Sequence, residues 1–358
     1  MKNEAALQTL INQIQTAGGE QFTYNEKAML DEYRKKSANQ SGLAIKILSV
    51  AGGFLAIVVF LGFLFVAGIY DSTMGLLVFG IIFIGASVIL NKIYDKLITD
   101  TLSITAFVLG FILLGLALSK LEVNDNLILI VFIIIAIVSL LIMQSYMLSF
   151  IGVLVVNGSL LALIFSNEAY NLIHLHIVCM AVLTTFCFLK EAKMITSSKK
   201  LASLYDPVRI GLVFSLLISL LFVGKSGLTL LSANYLWLSS IITIGLILYL
   251  IQSVLRVLQI HQLKDKILIY IASVLLLVPT VFAPAVAGAI LLILLSFLVN
   301  YKTGFVISMV AFIYFISQYY YDLNLTLLVK SGILFSLGIL FLLFYVFTHK
   351  KLGTDEKV

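Results

Sequence analysis

Charge is scarce in this chain. Lysine, arginine, aspartate and glutamate make up 11% of its 358 residues, and 61% are hydrophobic. Soluble domains carry about 25% charged residues, and a water-soluble fold could not cover so much apolar surface. Soluble globular classes are therefore excluded and a helical membrane protein is implied. Cysteine is nearly absent too, with only Cys179 and Cys187. Eight residues apart on one helix, they stand about 12 Å apart along its axis, beyond disulfide reach, and read as small apolar residues. No phosphate-cradling glycine loop, serine elbow, catalytic cysteine or metal motif is present, so no nucleophile, base and orienting group can be assembled. Apart from Lys330, His174 and His176, the apolar runs carry no acid or base placed inside a membrane. Proton-coupled carriers need such groups on their pathway.

What is present is a series of twelve apolar runs, near residues 47–70, 73–90, 101–119, 126–143, 146–165, 170–189, 208–223, 235–255, 267–282, 285–299, 304–318 and 325–347. Each approaches the roughly 17–25 residues that cross a bilayer core of about 30 Å. The ninth and tenth are the shortest, with Pro279 and Pro284 at their junction. A tight turn between two short spans is the plainer reading there, and a broken helix pair the functional one. The predicted fold is all-α: a polytopic integral membrane protein of about twelve transmembrane helices, with a membrane domain over 46–349 and a tail over 350–358. The first run follows some forty polar residues and is too long for a signal-peptide core, so it is expected to act as an uncleaved anchor.

Basic residues set the orientation. With a cytoplasmic N-terminus, the inner segments hold Arg34, Lys35, Lys36 and Lys46, then Lys92 and Lys96, then the link with Lys190, Lys193, Lys199, Lys200 and Arg209. Arg256, Lys264, Lys266, Lys302, Lys350 and Lys351 follow on the same side. The outer loops keep only Lys120 and Lys225. Such alternation predicts an even number of spans with both termini inside. Trp237 and Tyr319 to Tyr321 then fall at outer interfaces, where amphipathic rings are favoured.

Residues 1–45 read as a short cytoplasmic helical hairpin. Leu7, Leu10, Ile11 and Ile14 share one helical face, Gly18 and Gly19 interrupt it, and Thr23 with Glu26 forms a capping box before a second helix. That arm can pack on itself, on the membrane surface or on a protein partner. The expected partners are thus the bilayer and a protein met through residues 1–45, with no nucleic acid and no cofactor. The link at 190–207 divides six spans from six. This layout resembles the major facilitator transporters in span count alone, because "LNKIYDKLITD" lacks the glycines and paired arginines of their inner loop.

The candidate polar positions are few. Asp322, Thr326 and Lys330 recur every four residues, a polar stripe if one helix carries all three. Lys330 lies about 8 Å deep by helical rise, within reach of snorkelling, and is read first as an interhelical lysine and second as a substrate contact. His174 and His176, two apart, point about 200° from one another and cannot ligate one ion on a regular helix; hydrogen bonds to neighbouring helices or headgroups are their default use. Asn157 with Ser159, and Ser239, Ser240 and Thr243, are read as interhelical hydrogen-bonding groups. Gly52, Gly53, Gly62 and Gly68 suggest close helix contacts in the first span.

The first span "KILSVAGGFLAIVVFLGFL" and the end "YYYDLNLTLLVKSGILFSLGILFLL" resemble the bacterial membrane proteins grouped as domain of unknown function 4401 (DUF4401). The resemblance covers nearly the whole chain, its most distinctive part being the tyrosine cluster followed by "TLLVKSG". It implies a multi-span protein of the bacterial inner membrane and carries over no functional residues. Two functional expectations follow. One is a non-catalytic scaffold or complex subunit, favoured by the poverty of buried charge; the other is a permease-like transporter of a small solute. A solid apolar bundle would count against the second.

Overall fold

The computed structural model describes residues 43–93, 97–142, 145–225, 235–257, 259–260 and 262–322, with scattered positions between 326 and 342. Among the described residues there are twelve α-helices and no strand. They are α1 (Leu43–Val66), α2 (Thr73–Ile93), α3 (Leu97–Lys120), α4 (Asp125–Ile142), α5 (Tyr146–Ser166) and α6 (Leu172–Leu189), then α7 (Glu191–Ser197) and α8 (Lys199–Gly224). The series ends with α9 (Leu236–Val257), α10 (Leu263–Leu277), α11 (Pro284–Leu298) and α12 (Lys302–Asp322). Nine helical stretches among the described residues are long and apolar enough to cross a membrane, and two shorter apolar ones lie at Ala51–Val66 and Pro284–Leu298. The protein is a helical integral membrane protein, and the physical reason for its all-helical form is direct: in hydrocarbon only a helix satisfies its own backbone groups.

Helix ends follow a common device. Glu122, Glu168, Gln259 and Asn300 have φ of 52–55°, and the amide of the next residue closes each end on the carbonyl five positions back, as in Val123 N–H to Leu118 O at 3.1 Å and Tyr301 N–H to Ser296 O at 2.8 Å. This pattern satisfies the orphan carbonyls of a helix end and is commonly given to glycine; four side chains here accept the left-handed strain instead. Gly68, at φ 67°, ends the first span region and leads into the short turn Ile69–Asp71.

Packing is uneven along the chain. The largest cluster joins α5, α6, α8, α9, α11 and α12 through residues such as Ile177, Leu216, Leu220, Leu250, Leu291 and Leu295. Smaller clusters join α2 to α5 around Phe107, Phe111 and Leu148, and α1 to α3 around Leu64, Leu76 and Leu113. Helix α5 contributes Leu148 to one and Leu161 to another, so it bridges the two regions. Helix α8, 26 residues or about 39 Å long, packs against α5, α6, α7, α11 and α12 and is the hub.

The structure adds detail to two sequence-derived boundaries and corrects the reading of the first-span glycines. The link at 190–207 is helical: α7 and the first turns of α8 occupy it, with the Ser198 hydroxyl accepting from Leu201 N–H at the cap of α8. At the ninth and tenth runs, α10 passes into the 3-10 turn Val278–Phe282, and α11 starts on Pro284 after Ala283 breaks the helix. Helix α11 is only 15 residues, about 22 Å, yet its interior face is closely packed. The glycines of the first span do little packing: a Cβ on Gly52 or Gly62 would meet nothing within 4 Å, and only Gly53 faces a neighbour, Thr105. Close approach occurs between α2 and α3 instead, where a Cβ on Gly80 would come within 2.9 Å of Leu114 N and one on Gly110 within 2.9 Å of Ile84 N. Residues 1–42 of the arm predicted over 1–45, the tail over 350–358 and most of the twelfth run lie outside the described residues.

Candidate functional site

The one buried charge cluster among the described residues centres on Arg209, two residues after Pro207 in α8. Proline has no N–H to give to the carbonyl of Ser203, which loosens the ladder at that turn. Arg209 is 8% exposed. Its guanidinium donates to Asp206 at 2.6 Å and to Glu191, in the first turn of α7, at 3.4 Å. Its carbon Cζ sits 3.9 Å from the centroid of the Tyr301 ring, 4.9 Å from Tyr205 and 5.8 Å from Phe188. Three aromatic faces and two carboxylates therefore hold one cation, as expected for an arginine whose planar, weakly hydrated head stacks as well as it pairs.

The cluster ties distant elements together. Phe188 ends α6, Glu191 begins α7, Asp206 and Arg209 lie on α8, and Tyr301 occupies the turn between α11 and α12. Both carboxylates keep contact with water, their side chains being 32% exposed at Glu191 and 60% at Asp206. Burial pushes the Tyr301 phenol above its ordinary value and the adjacent Arg209 cation partly offsets that, so at neutral pH Tyr301 is a neutral ring and not a counter-charge. The Tyr205 hydroxyl and Arg209 Nε are buried without a partner at good hydrogen-bond geometry. Sequence reasoning counted Arg209 among the basic flanks of a link. The signal was available in "YDPVRIG": an acid three residues before an arginine at the mouth of an apolar run predicts a helical pair.

The histidines are held separately. His174 Nδ1 lies 3.0 Å from Ser239 Oγ on α9, and His176 Nδ1 lies 3.0 Å from Ser219 Oγ on α8. The Ser219 hydroxyl also lies 2.7 Å from Ser215 O, so one serine oxygen joins the His176 ring to the backbone of α8. Both Nε2 atoms are buried with no hydrogen-bond partner among the described residues. The two rings thus clamp α6 to different neighbours, as their two-residue spacing requires, and no group of three or more metal-ligating side chains occurs among the described residues.

Among the described residues, the other sequence candidates show no bond to the two histidines. Asn157 is buried in α5 and donates to Val153 O of its own helix at 2.9 Å. Ser240 and Thr243 likewise bond back to Leu236 O and Ser239 O, as do Thr184 to Met180 O and Thr185 to Ala181 O. Among the described residues most hydroxyls are spent within a helix, because a short side chain reaches the carbonyl one turn back more easily than a neighbouring helix; the serines facing the histidines, and Ser145 bonding to Asp100 at 3.4 Å, reach across. Asp322 closes α12, accepting from Gln318 at 3.0 Å. Thr326 is not helical, and its hydroxyl accepts from Val329 N–H at 3.4 Å. The four-residue stripe therefore does not run along one continuous helix from Asp322. Lys330 lies outside the described residues.

No curated protein matches the chain, and no solved structure matches it. A family model does match, over residues 42–351, which takes in every described helix. The chain belongs to the family described as a domain of unknown function, DUF4401.

Proposed function

We propose that this protein is a non-catalytic scaffold or subunit of a membrane complex, crossing the bacterial inner membrane twelve times with both termini in the cytoplasm. The observation that carries the reading is the interior around α8. There Leu216, Leu220, Leu291, Leu292 and Leu295 are wholly buried, and a Cβ on Gly288 would come within 2.4 Å of Leu220. The polar contacts between helices in the same region are few and fixed, at His174–Ser239, His176–Ser219 and Arg209–Glu191. That is the economy of a frame, which needs rigidity, rather than of a solute path, which needs exchangeable polar contacts. The alternation of basic segments supports the proposed orientation, and the amphipathic arm over 1–45 supplies a place for a partner to dock.

A permease-like transporter of a small solute is the second reading. It is favoured by the bare Nε2 atoms of His174 and His176 and by the short α11 after the Pro279 and Pro284 break.

Purification of the chain at native abundance from its own membranes, followed by native mass spectrometry and reconstitution, separates the two. The scaffold reading expects a complex of fixed stoichiometry with a second protein and vesicles that pass no added solute. A chain isolated without protein companions that moves a solute across vesicles, and loses that flux in His176→Phe, would replace it. Reporter fusions at residues 1 and 358 test the orientation, which requires both reporters on the cytoplasmic side.

A further inference from the structure

A cleft of about 230 Å³ opens between α9 and α10 and is lined by Gln252, Leu255, Arg256, Ile260, Lys266 and Tyr270. Its construction is regular. Gln252 and Arg256 are one turn apart on α9, Lys266 and Tyr270 one turn apart on α10, so each helix presents one cation and one neutral polar group on a single face. Leu255 is buried and gives the floor an apolar surface. The wall at the turn is fixed by the left-handed Gln259 and the bond from Ile260 N–H to Leu255 O at 3.1 Å. Asp265, the residue before Lys266, is not among the lining groups.

Position and charge together specify an occupant. Arg256 is in the last turn of a spanning helix and Lys266 in the first turn of the next, so both cations sit at the membrane–water boundary. Among the described residues no carboxylate lines the cleft. The volume is below the roughly 300 Å³ of sites for drug-sized ligands, which suits a phosphate-bearing headgroup with its chains left outside. Helix α10 has 11% of its span buried in protein; its exposed Ile267, Ile271 and Leu275 offer an apolar track for acyl chains. Basic pockets between membrane helices are suited to anionic headgroups for these electrostatic reasons.

We propose that this cleft is a binding site for one anionic phospholipid, its phosphate held between Arg256 and Lys266 and its chains laid along α10. The lipid would bind the weakly packed α10 to α9. The test is native mass spectrometry of the whole protein titrated with phosphatidylglycerol, phosphatidylcholine or glycerol phosphate. It is run on the wild type, on Arg256→Gln/Lys266→Gln and on Lys264→Gln, a neighbouring lysine outside the cleft. Wild type should retain one phosphatidylglycerol per chain in preference to phosphatidylcholine by roughly 30-fold, about a factor of five for each cation at the surface. The double variant should lose that preference and Lys264→Gln keep it. Equal retention of both lipids by the wild type overturns the site whether or not the variants fold. So does an undiminished preference in a folded double variant. Displacement of the lipid by glycerol phosphate would show a soluble-anion site and overturn the lipid assignment.

Discussion

Helices α4 and α8 are both long and apolar enough to span a bilayer, yet they meet opposite fates. Helix α4 has the higher mean hydropathy, 2.9 against 2.1, and only 17% of its span is buried in protein, against 56% for α8. In water the more apolar helix would be the more buried. In lipid the hydrocarbon already accepts Ile and Val, so apolar character gives no reason to leave it. What draws α8 inward is what lipid rejects: Arg209, and Ser219 with its histidine. Mean hydropathy therefore does not set burial here: α12, at 1.3, is as little buried as α4, and what distinguishes α8 is the specific polar groups it must shield.

Substitutions should separate the two regimes in order of size. Gly110→Leu should be the most damaging, at about 3 kcal/mol or more, because even its Cβ would lie 2.9 Å from the backbone of Ile84. Gly62→Leu, in open surroundings, should fall within about 0.5 kcal/mol. Thermal unfolding in detergent reads both, and equal effects would mean that α2 and α3 do not cross at the glycines. Arg209→Met comes next, at about 2–3 kcal/mol. A fully buried pair broken on one side costs about 3–5 kcal/mol, and the water contact of both carboxylates reduces that. An unfolding midpoint unchanged from wild type would remove Arg209 from the structural account. Ser219→Ala should cost about 0.6 kcal/mol, the mean for a hydrogen bond between membrane helices, and should be matched by His176→Phe in a double-mutant cycle that shows coupling. Smallest of all, Ile134→Ala on α4 should change stability by less than about 0.5 kcal/mol, since Ile134 is 55% exposed. A loss near the 2–5 kcal/mol of a packed core would mean that α4 is covered by protein.

Helix positions were legible in the sequence because the bilayer sets their length, and each described span overlaps an apolar run, though α8 starts at Lys199, two turns and more before its run. The arrangement of those helices was less so. Hydropathy could not rank α8 above α4, and the first-span glycines drew attention that Gly80 and Gly110 merited, because a glycine facing a neighbour and one facing lipid look alike in sequence. Of the site, the separation of His174 from His176 followed from helical geometry, and their serine partners required the packing. Arg209 was visible as a cation at a span boundary but not as the centre of Phe188, Tyr205 and Tyr301, which lie on separate elements and meet only when α6, α8 and the α11–α12 turn converge.

The most direct measurement is labelling by a lipid-phase carbene reagent in native membranes, mapped by mass spectrometry. The account predicts dense labelling of the exposed faces of α4 and α10 and little on α8 and α11. Labelling of α8 at the level of α4 would contradict it.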